Sequence, residues 1–340
     1  GVPYAVDPIT LETLGPCYDY LDKPDSGMSA HCKVDEVTNE LMYFDYGDHW
    51  PYMWYGVADA DGKVTHRIPI ELPGNRLPHD MAITEHYSIL HDHPVFHDEE
   101  AQAAGRHKVV FDSNMPTRLG VIPRKGAAAD LQWFEFSGAF IYHVINAWEE
   151  GDEIVMVACR YQPAKHEDGS FHDAETAKMI ARLVMDARLW SYRMNTKTGE
   201  CSEMCLDPDF NVEFPSIDSQ LTGRKSEFAY LVDHDPKILR WMGVCKYKTD
   251  TGERRGGWSD DPVHCWDSEP WFAPADNQTS EDHGYVVVFV WNDKTHQQEL
   301  QIFDAKDLNK GPVARVHMPE RIPPGFHACW MRSESIKQAS

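Results

Sequence analysis

The chain has no run of apolar residues approaching the roughly 20 needed to span a bilayer. Its first residues also lack the basic segment and apolar stretch of a secretory leader. Positive charge is scarce: 32 Lys and Arg stand against 55 Asp and Glu, a formal charge of −23. That balance works against binding nucleic acid or an anionic membrane surface. Eight cysteines are scattered without a CxxC pair or a regular spacing. Even the closest pair, Cys201 and Cys205, reads as free thiols of a reducing compartment, so a cytoplasmic location is expected. No Pro/Gly/Ser linker or shift of composition divides the chain, and residues 1–340 are read as one domain. Helical patterning is nearly absent too. Only Asp173 to Val184 reads as helix, with Asp173 able to cap it.

What the chain does have is a recurring turn. Stretches at Tyr4–Thr13, Val34–Leu41, Ala58–Val64, Met194–Glu200, Tyr247–Glu253 and, more loosely, Phe303–Leu308 each join two runs of β-branched and aromatic residues. The joining segment is of the D/N-x-x-T-G-E kind, in which Gly or Asn supplies the positive φ a hairpin needs. Ile154–Ala158 and Tyr285–Trp291 are near-continuous apolar runs, fit for strands buried on both faces. Hairpins repeated along most of the chain predict an all-β architecture of radial repeats, a β-propeller with loops and a short helix over one face.

The composition also holds 18 histidines and 11 tryptophans. Histidine is the commonest metal ligand at neutral pH, and aromatic side chains line apolar pockets. The stretch Leu77 to Tyr87 reads as a turn and a short strand, with His79 at the strand mouth and Asp80 beside it to orient the ring. His31, His143 and His327 occupy similar settings at the edges of predicted strands. Four imidazoles without a carboxylate suit Fe(II), Zn(II) or Cu(II) by ligand type. Spacing does not choose among these metals, nor does it single out these four histidines from the eighteen. The run His91, His93, His97, interrupted by Pro94 and followed by acidic residues, reads as an exposed loop rather than a metal site.

Four motifs in order resemble those of the carotenoid cleavage oxygenase family, which includes lignostilbene dioxygenases and isoeugenol-cleaving oxygenases. LPHDMAITEHY is similar to the family's HDFAITENY, and FIYHVINAWEEGDEIV to its FHxxNAxEEGDEIV. PERIPPGFHACW resembles the closing PxRVPxGFHGxW, with Ala328 and Cys329 where Gly and a variable residue are usual. SAHCKVDEVTNEL stands where AHPKxDPxTGEL is usual, with Cys32 in place of proline and Asn39 in place of glycine. The resemblance runs from Gly1 to about Trp330.

The resemblance implies a seven-bladed β-propeller with non-haem Fe(II) on its axis, held by His31, His79, His143 and His327. It further implies that Glu213 and Glu269 hydrogen-bond to ligand histidines, which fixes their tautomer and raises their basicity. The activity implied is cleavage of a conjugated C=C bond with O2 to two carbonyl products. The partners are then O2 and an apolar conjugated alkene. Tyr142, adjacent to a ligand, and Trp148 are candidate walls of a substrate tunnel. The opening GVPYAVDPITLET, the NAWEE stretch and the HACW ending resemble the isoeugenol and lignostilbene branch. The stretches at 224–231 and 282–291 resemble plant carotenoid cleavers instead. A stilbene or styryl phenol is therefore the expected substrate, a carotenoid or apocarotenoid the alternative, and a non-catalytic binding propeller the reading from another class. The resemblance begins partway through a family member. A third glutamate and the phenol-gripping lysine and tyrosine of the stilbene enzymes are expected to precede Gly1, on a separate N-terminal segment that closes the ring and completes the active enzyme.

Overall fold

The computed structural model describes residues 1–17, 26–106, 108–112, 114–161, 186–235, 240–259, 264–323, 325–333 and 336. The described residues form five successive antiparallel sheets after a short hairpin of Tyr4–Val6 with Thr13–Pro16. The first sheet runs in order through Lys33–Asp35, Glu40–Tyr46, Tyr52–Ala58 and Val64–Glu71. The second runs through Ala82–Ile83, Tyr87–Asp92, Thr117–Pro123 and Gln132–Phe136, with a small hairpin of Val95–His97 and Val109–Phe111 inserted midway. The third holds Phe140–Glu150, Glu153–Tyr161, Ala187–Asn195 and Cys201–Asp207; the fourth holds Val212–Ser216, Phe228–His234, Trp241–Lys248 and Arg254–Trp258. In the fifth, His264–Trp266 and Trp271–Pro274 both pair with Gly284–Asn292, which leads to Gln297–Asp304 and Pro312–His317.

Each sheet is a meander, so each is one blade of a β-propeller. The chain is all-β, as its turns predict. The described residues build five blades where the resemblance implies seven. The helix expected from Asp173 to Val184 lies outside the described residues. A helix not foreseen, Glu99–Ala103, is capped by Asp98, whose carboxylate accepts the Ala101 N–H at 2.8 Å. Among the described residues no helix is long and apolar enough to cross a membrane.

The recurring turns form as their chemistry dictates. Asn39, Gly62, Gly199 and Gly252 all have positive φ, 56°, 76°, 77° and 69°. Asp35 and Asn195 accept main-chain N–H groups two residues on, and the hydroxyls of Thr38, Thr198 and Thr251 accept the N–H of Glu40, Glu200 and Glu253. Asn39 takes the left-handed conformation at little cost because its short amide tolerates it.

The apolar core is four seams between neighbouring blades. Met42, Phe44 and Tyr55 meet Leu90 and Ile122 between the first and second; Ile89 and Leu119 meet Ile141 and Met156 between the second and third. Val157 and Leu189 meet Val212 and Leu231 in the next seam, and Val232 and Val244 meet Val286 and Phe303 in the last. Ile154–Ala158 is accordingly buried throughout, as a strand between two seams should be. Tyr285–Trp291 departs from that expectation. Val286, Val288 and Val290 are buried, whereas Tyr285 is exposed and Val287 and Phe289 are partly so, because only one face of the fifth sheet packs on a described neighbour. Cys201 and Cys205 are free thiols, as are Cys17, Cys32, Cys159, Cys245 and Cys329.

Candidate metal centre

The first strand of each blade lies innermost, and the motif residues sit on or beside those strands. His31 precedes Lys33–Asp35, His79 precedes Ala82–Ile83, and His143 lies within Phe140–Glu150. Glu213 belongs to Val212–Ser216, Glu269 precedes Trp271–Pro274, and His327 follows the last strand. Stacking the blades side by side thus gathers residues from almost the whole chain. The ring centroids of His31 lie 4.5, 5.0 and 4.8 Å from those of His79, His143 and His327. His79 and His327 lie 5.4 and 5.0 Å from His143.

Local irregularity aims two of these side chains. The ladder of Phe140–Glu150 slips between Ile141 and Val144 and again before Asn146, a bulge at His143. Bulges bend a strand and re-aim its side chains. The Val212–Ser216 strand slips after Glu213, and Phe214 there has φ of 51°. Phe214 donates its N–H to Glu213 Oε2 at 2.6 Å and sets its ring 5.0 Å from that of His143.

Each of the two glutamates approaches one of the candidate ligand histidines. His143 Nδ1 lies 2.5 Å from Glu213 Oε2, and His327 Nδ1 lies 3.0 Å from Glu269 Oε2. Glu269 Oε2 also accepts the Ala328 N–H at 3.0 Å. With Nδ1 engaged, His143 Nε2 is left buried and without a hydrogen-bond partner. One ligand nitrogen each from His31, His143 and His327 lies within 4.8 Å of the others, near the ~4 Å that two metal–imidazole bonds of ~2.1 Å span. His79 stands outside that closest trio and joins the cluster through its ring contact with His31. Burial depresses the pKa of His31 to about 3 and of His79 to about 4. Both rings are neutral and keep a lone pair for a cation. Burial opposes charge on His143 as well, but the Glu213 carboxylate outweighs it and raises that pKa. Two neutral rings beside an orphaned, buried Nε2 on a third make a nitrogen donor set that fits a divalent transition metal.

Two cavities of about 370 and 350 Å³ flank the cluster, and His31 lines both. The first is walled by His143, His327, Lys33, Asn146 and Ser216 among others; the second by His79, Asp45 and Tyr46. Tyr142 packs edge-on against His79 at 4.7 Å, its phenol pushed up to about 12 by burial, and it lines neither cavity. Trp148 is buried in the seam between the third and fourth blades, its indole N–H donated to Glu150 at 3.0 Å, and it too lines neither.

Other motif residues hold blades together. Glu149 accepts the Thr84 hydroxyl at 2.6 Å and the His86 N–H at 2.9 Å, and Asn146 bonds to Gly223 N and Arg224 O. Asp80 does not orient His79 as its position beside that ring leads one to expect. Its carboxylate accepts the Met81 and Val144 N–H groups and pairs with Lys33, each at 2.7 Å. No sequence signal singles out Lys33 except its place in the motif of His31. Nor is the His91/His93 run an exposed loop. His91 and His93 are each 1% exposed, because strand Tyr87–Asp92 and the residue that follows it run against the third blade, where Phe140 packs 5.1 Å from His93.

The pattern that describes the retinal pigment epithelial membrane protein family, RPE65, matches residues 1–332. A carotenoid 9,10(9',10')-cleavage dioxygenase of Crocus sativus is 33% identical over 98% of this chain. The chain spans 63% of that relative's length. An isoeugenol monooxygenase of Pseudomonas nitroreducens is 27% identical over 97% of this chain and 71% of its own. The crystal structure of Pseudomonas brassicacearum lignostilbene dioxygenase superposes with a TM-score of 0.84 at 27% identity, covering 97% of this chain and 71% of that one. With nearly its whole length matched by the family pattern, the chain belongs to the RPE65 family of carotenoid oxygenases.

Proposed function

We propose that His31, His79, His143 and His327 hold Fe(II), and that the protein they belong to cleaves a conjugated C=C bond with O2 to two carbonyl products. The observation that carries this reading is the clustering of four imidazole rings, three of them with ligand nitrogens within 4.8 Å of one another, and with Glu213 and Glu269 on the outer nitrogens of two of them. Bound there, Fe(II) would supply the redox chemistry that lets O2 react with an alkene. The chain's own residues supply position. Imidazole ligands bring no charge of their own and would leave the ion its full charge, the two carboxylates fix ring orientation, and the flanking cavities admit two reactants to one centre. Addition of both oxygen atoms across the double bond balances the reaction: one C=C and one O2 become two C=O groups, with no outside reductant.

A stilbene or styryl phenol is the substrate class we favour. The cavity of about 370 Å³ carries polar groups from Lys33, Asn146 and Ser216, suited to a compact molecule with a hydroxyl end. A carotenoid or apocarotenoid is the second reading, favoured by the 33% identity to the Crocus dioxygenase. The discriminating experiment measures O2 uptake by iron-loaded protein on isoeugenol, resveratrol and β-apo-carotenals, with product masses from 18O2. Label in both carbonyl products of a phenylpropanoid is the expected result. Cleavage of polyenes alone would transfer the assignment to the second reading, and no uptake on any alkene would defeat both.

A further inference from the structure

Asp80 is 1% exposed, yet it carries a carboxylate into the wall of the histidine cluster. Burying a charge is costly unless it is paired and its lone pairs are filled. Here they are filled by three donors from three different segments. Oδ1 accepts the N–H of Met81 and meets the Lys33 ammonium, and Oδ2 accepts the N–H of Val144, all at 2.7 Å. Each donor or acceptor is tied closely in sequence to a histidine of the cluster: Lys33 lies two residues after His31, Asp80 directly after His79, and Val144 directly after His143. Val144 also stands at the bulge that turns His143 inward.

Taking the cluster as a metal site, as proposed above, we propose that Asp80 is a positioning residue, joined with Lys33 in a cross-link that sets the spacing of His31, His79 and His143. It touches no ring. It acts through main-chain N–H groups and one ammonium, so its effect falls on where three ligands stand rather than on their tautomers. An amide at this place cannot do the same. Asn has one acceptor oxygen, and its NH2 group would confront either the Val144 N–H or the Lys33 ammonium, two donors face to face. Lys33 is the counterpart: an apolar residue there would leave a buried carboxylate without its cation, whereas arginine would keep the pair.

The test titrates Co(II) into the purified full chain, following the visible absorption of the bound ion and, in parallel, circular dichroism and melting temperature. Wild-type protein and Lys33→Arg are expected to bind with similar affinity and spectra. Asp80→Asn and Lys33→Met are expected to bind about 10- to 100-fold more weakly, the usual loss when support of a ligand shell is removed. Their Co(II) spectra should shift while the circular dichroism of the folded protein is retained. A purely structural role would lower the melting temperature and leave the affinity and spectrum of folded protein unmoved, which would overturn the inference. Lys33→Met allows that decision even if Asp80→Asn does not fold. Failure of the wild type to bind Co(II) would instead strike the metal reading itself, and this inference with it.

Discussion

His31 and His79 at the axis resemble His91 in the neighbouring seam in one respect: burial drives their pKa down to about 3, about 4 and about 4. His93, 5.1 Å from His91, is held well below the usual imidazole range by the same cause. All are therefore neutral imidazoles with lone pairs to offer. The surroundings differ. The axial cluster opens on cavities at two sides, and two of its four rings lean on carboxylates that no Lys or Arg among the described residues pairs with. The seam pair has both nitrogens of each ring unpartnered among the described residues and borders neither cavity. The carboxylate between them, Asp92, is already engaged by Arg76 and Arg118. Neutralised histidines in contact do not by themselves make a metal site. A carboxylate turned to the ring rather than to a guanidinium, and an open space before that ring, are what separate the two groups.

The largest effect should come from His143, the most buried ligand candidate. His143→Ala should weaken Co(II) binding by more than the roughly 100-fold at which losses from outer partners end, with the circular dichroism unchanged because the seams do not depend on the metal. Retained affinity in that variant would remove the axial cluster from consideration. The carboxylates come next. Glu213→Gln should lower affinity by about 10- to 100-fold, and Glu269→Gln by less, because His327 is 43% exposed and solvent can replace its partner. Equal, undiminished affinity in both would erase the distinction drawn here.

The smallest effect concerns stability and pH, and it belongs to the seam. The folded pKa of His91 lies below the unfolded value of 6.5, so on acidification the unfolded chain takes up its proton first. Its contribution to stability is intact above about pH 6.5 and is lost progressively toward about pH 4, about 3 kcal/mol at full extent. His91→Leu should therefore flatten the fall in melting temperature of metal-free protein between pH 7 and pH 5, and should leave Co(II) affinity at the wild-type value. Parallel pH profiles for variant and wild type would deny His91 this role, and weakened Co(II) binding would join the two groups into one.

Much of this fold can be read in the chain because its turns are local chemistry. The Asx and Thr acceptors and the left-handed Asn39 or Gly of each hairpin lie within six residues of one another, and the strands follow from them. The candidate ligands are legible for another reason, since four spaced motifs resemble a family whose pattern then matches. Spacing alone leaves eighteen histidines undivided. What escapes is whatever depends on a distant neighbour. Pro94 and the acidic residues after it carry loop signals, yet packing of the third blade covers His91 and His93. The partners of Asp80 are Lys33 and Val144, far away in sequence, so its work is invisible beside the adjacent His79. Tyr285–Trp291 reads like Ile154–Ala158, and only the presence of a second packed face separates them.

The four axial histidines come from near one end of the chain, two interior blades, and near the other end. The contact of His31 with His327 thus joins positions nearly 300 residues apart, and its formation has a place in time. The entropic cost of bringing such distant positions together grows only logarithmically with their separation, but it must be met before the contact gives anything back. A chain in which the first three blades have formed already holds His31, His79 and His143, yet it lacks Glu213, Glu269 and His327. An ion bound at the axis would stabilise only the conformation in which the segments of His31 and His327 have met, by mass action on that state alone. Metal uptake during refolding would then mark the end of the folding reaction, and fraying of the last segment would be the first way to lose the ion.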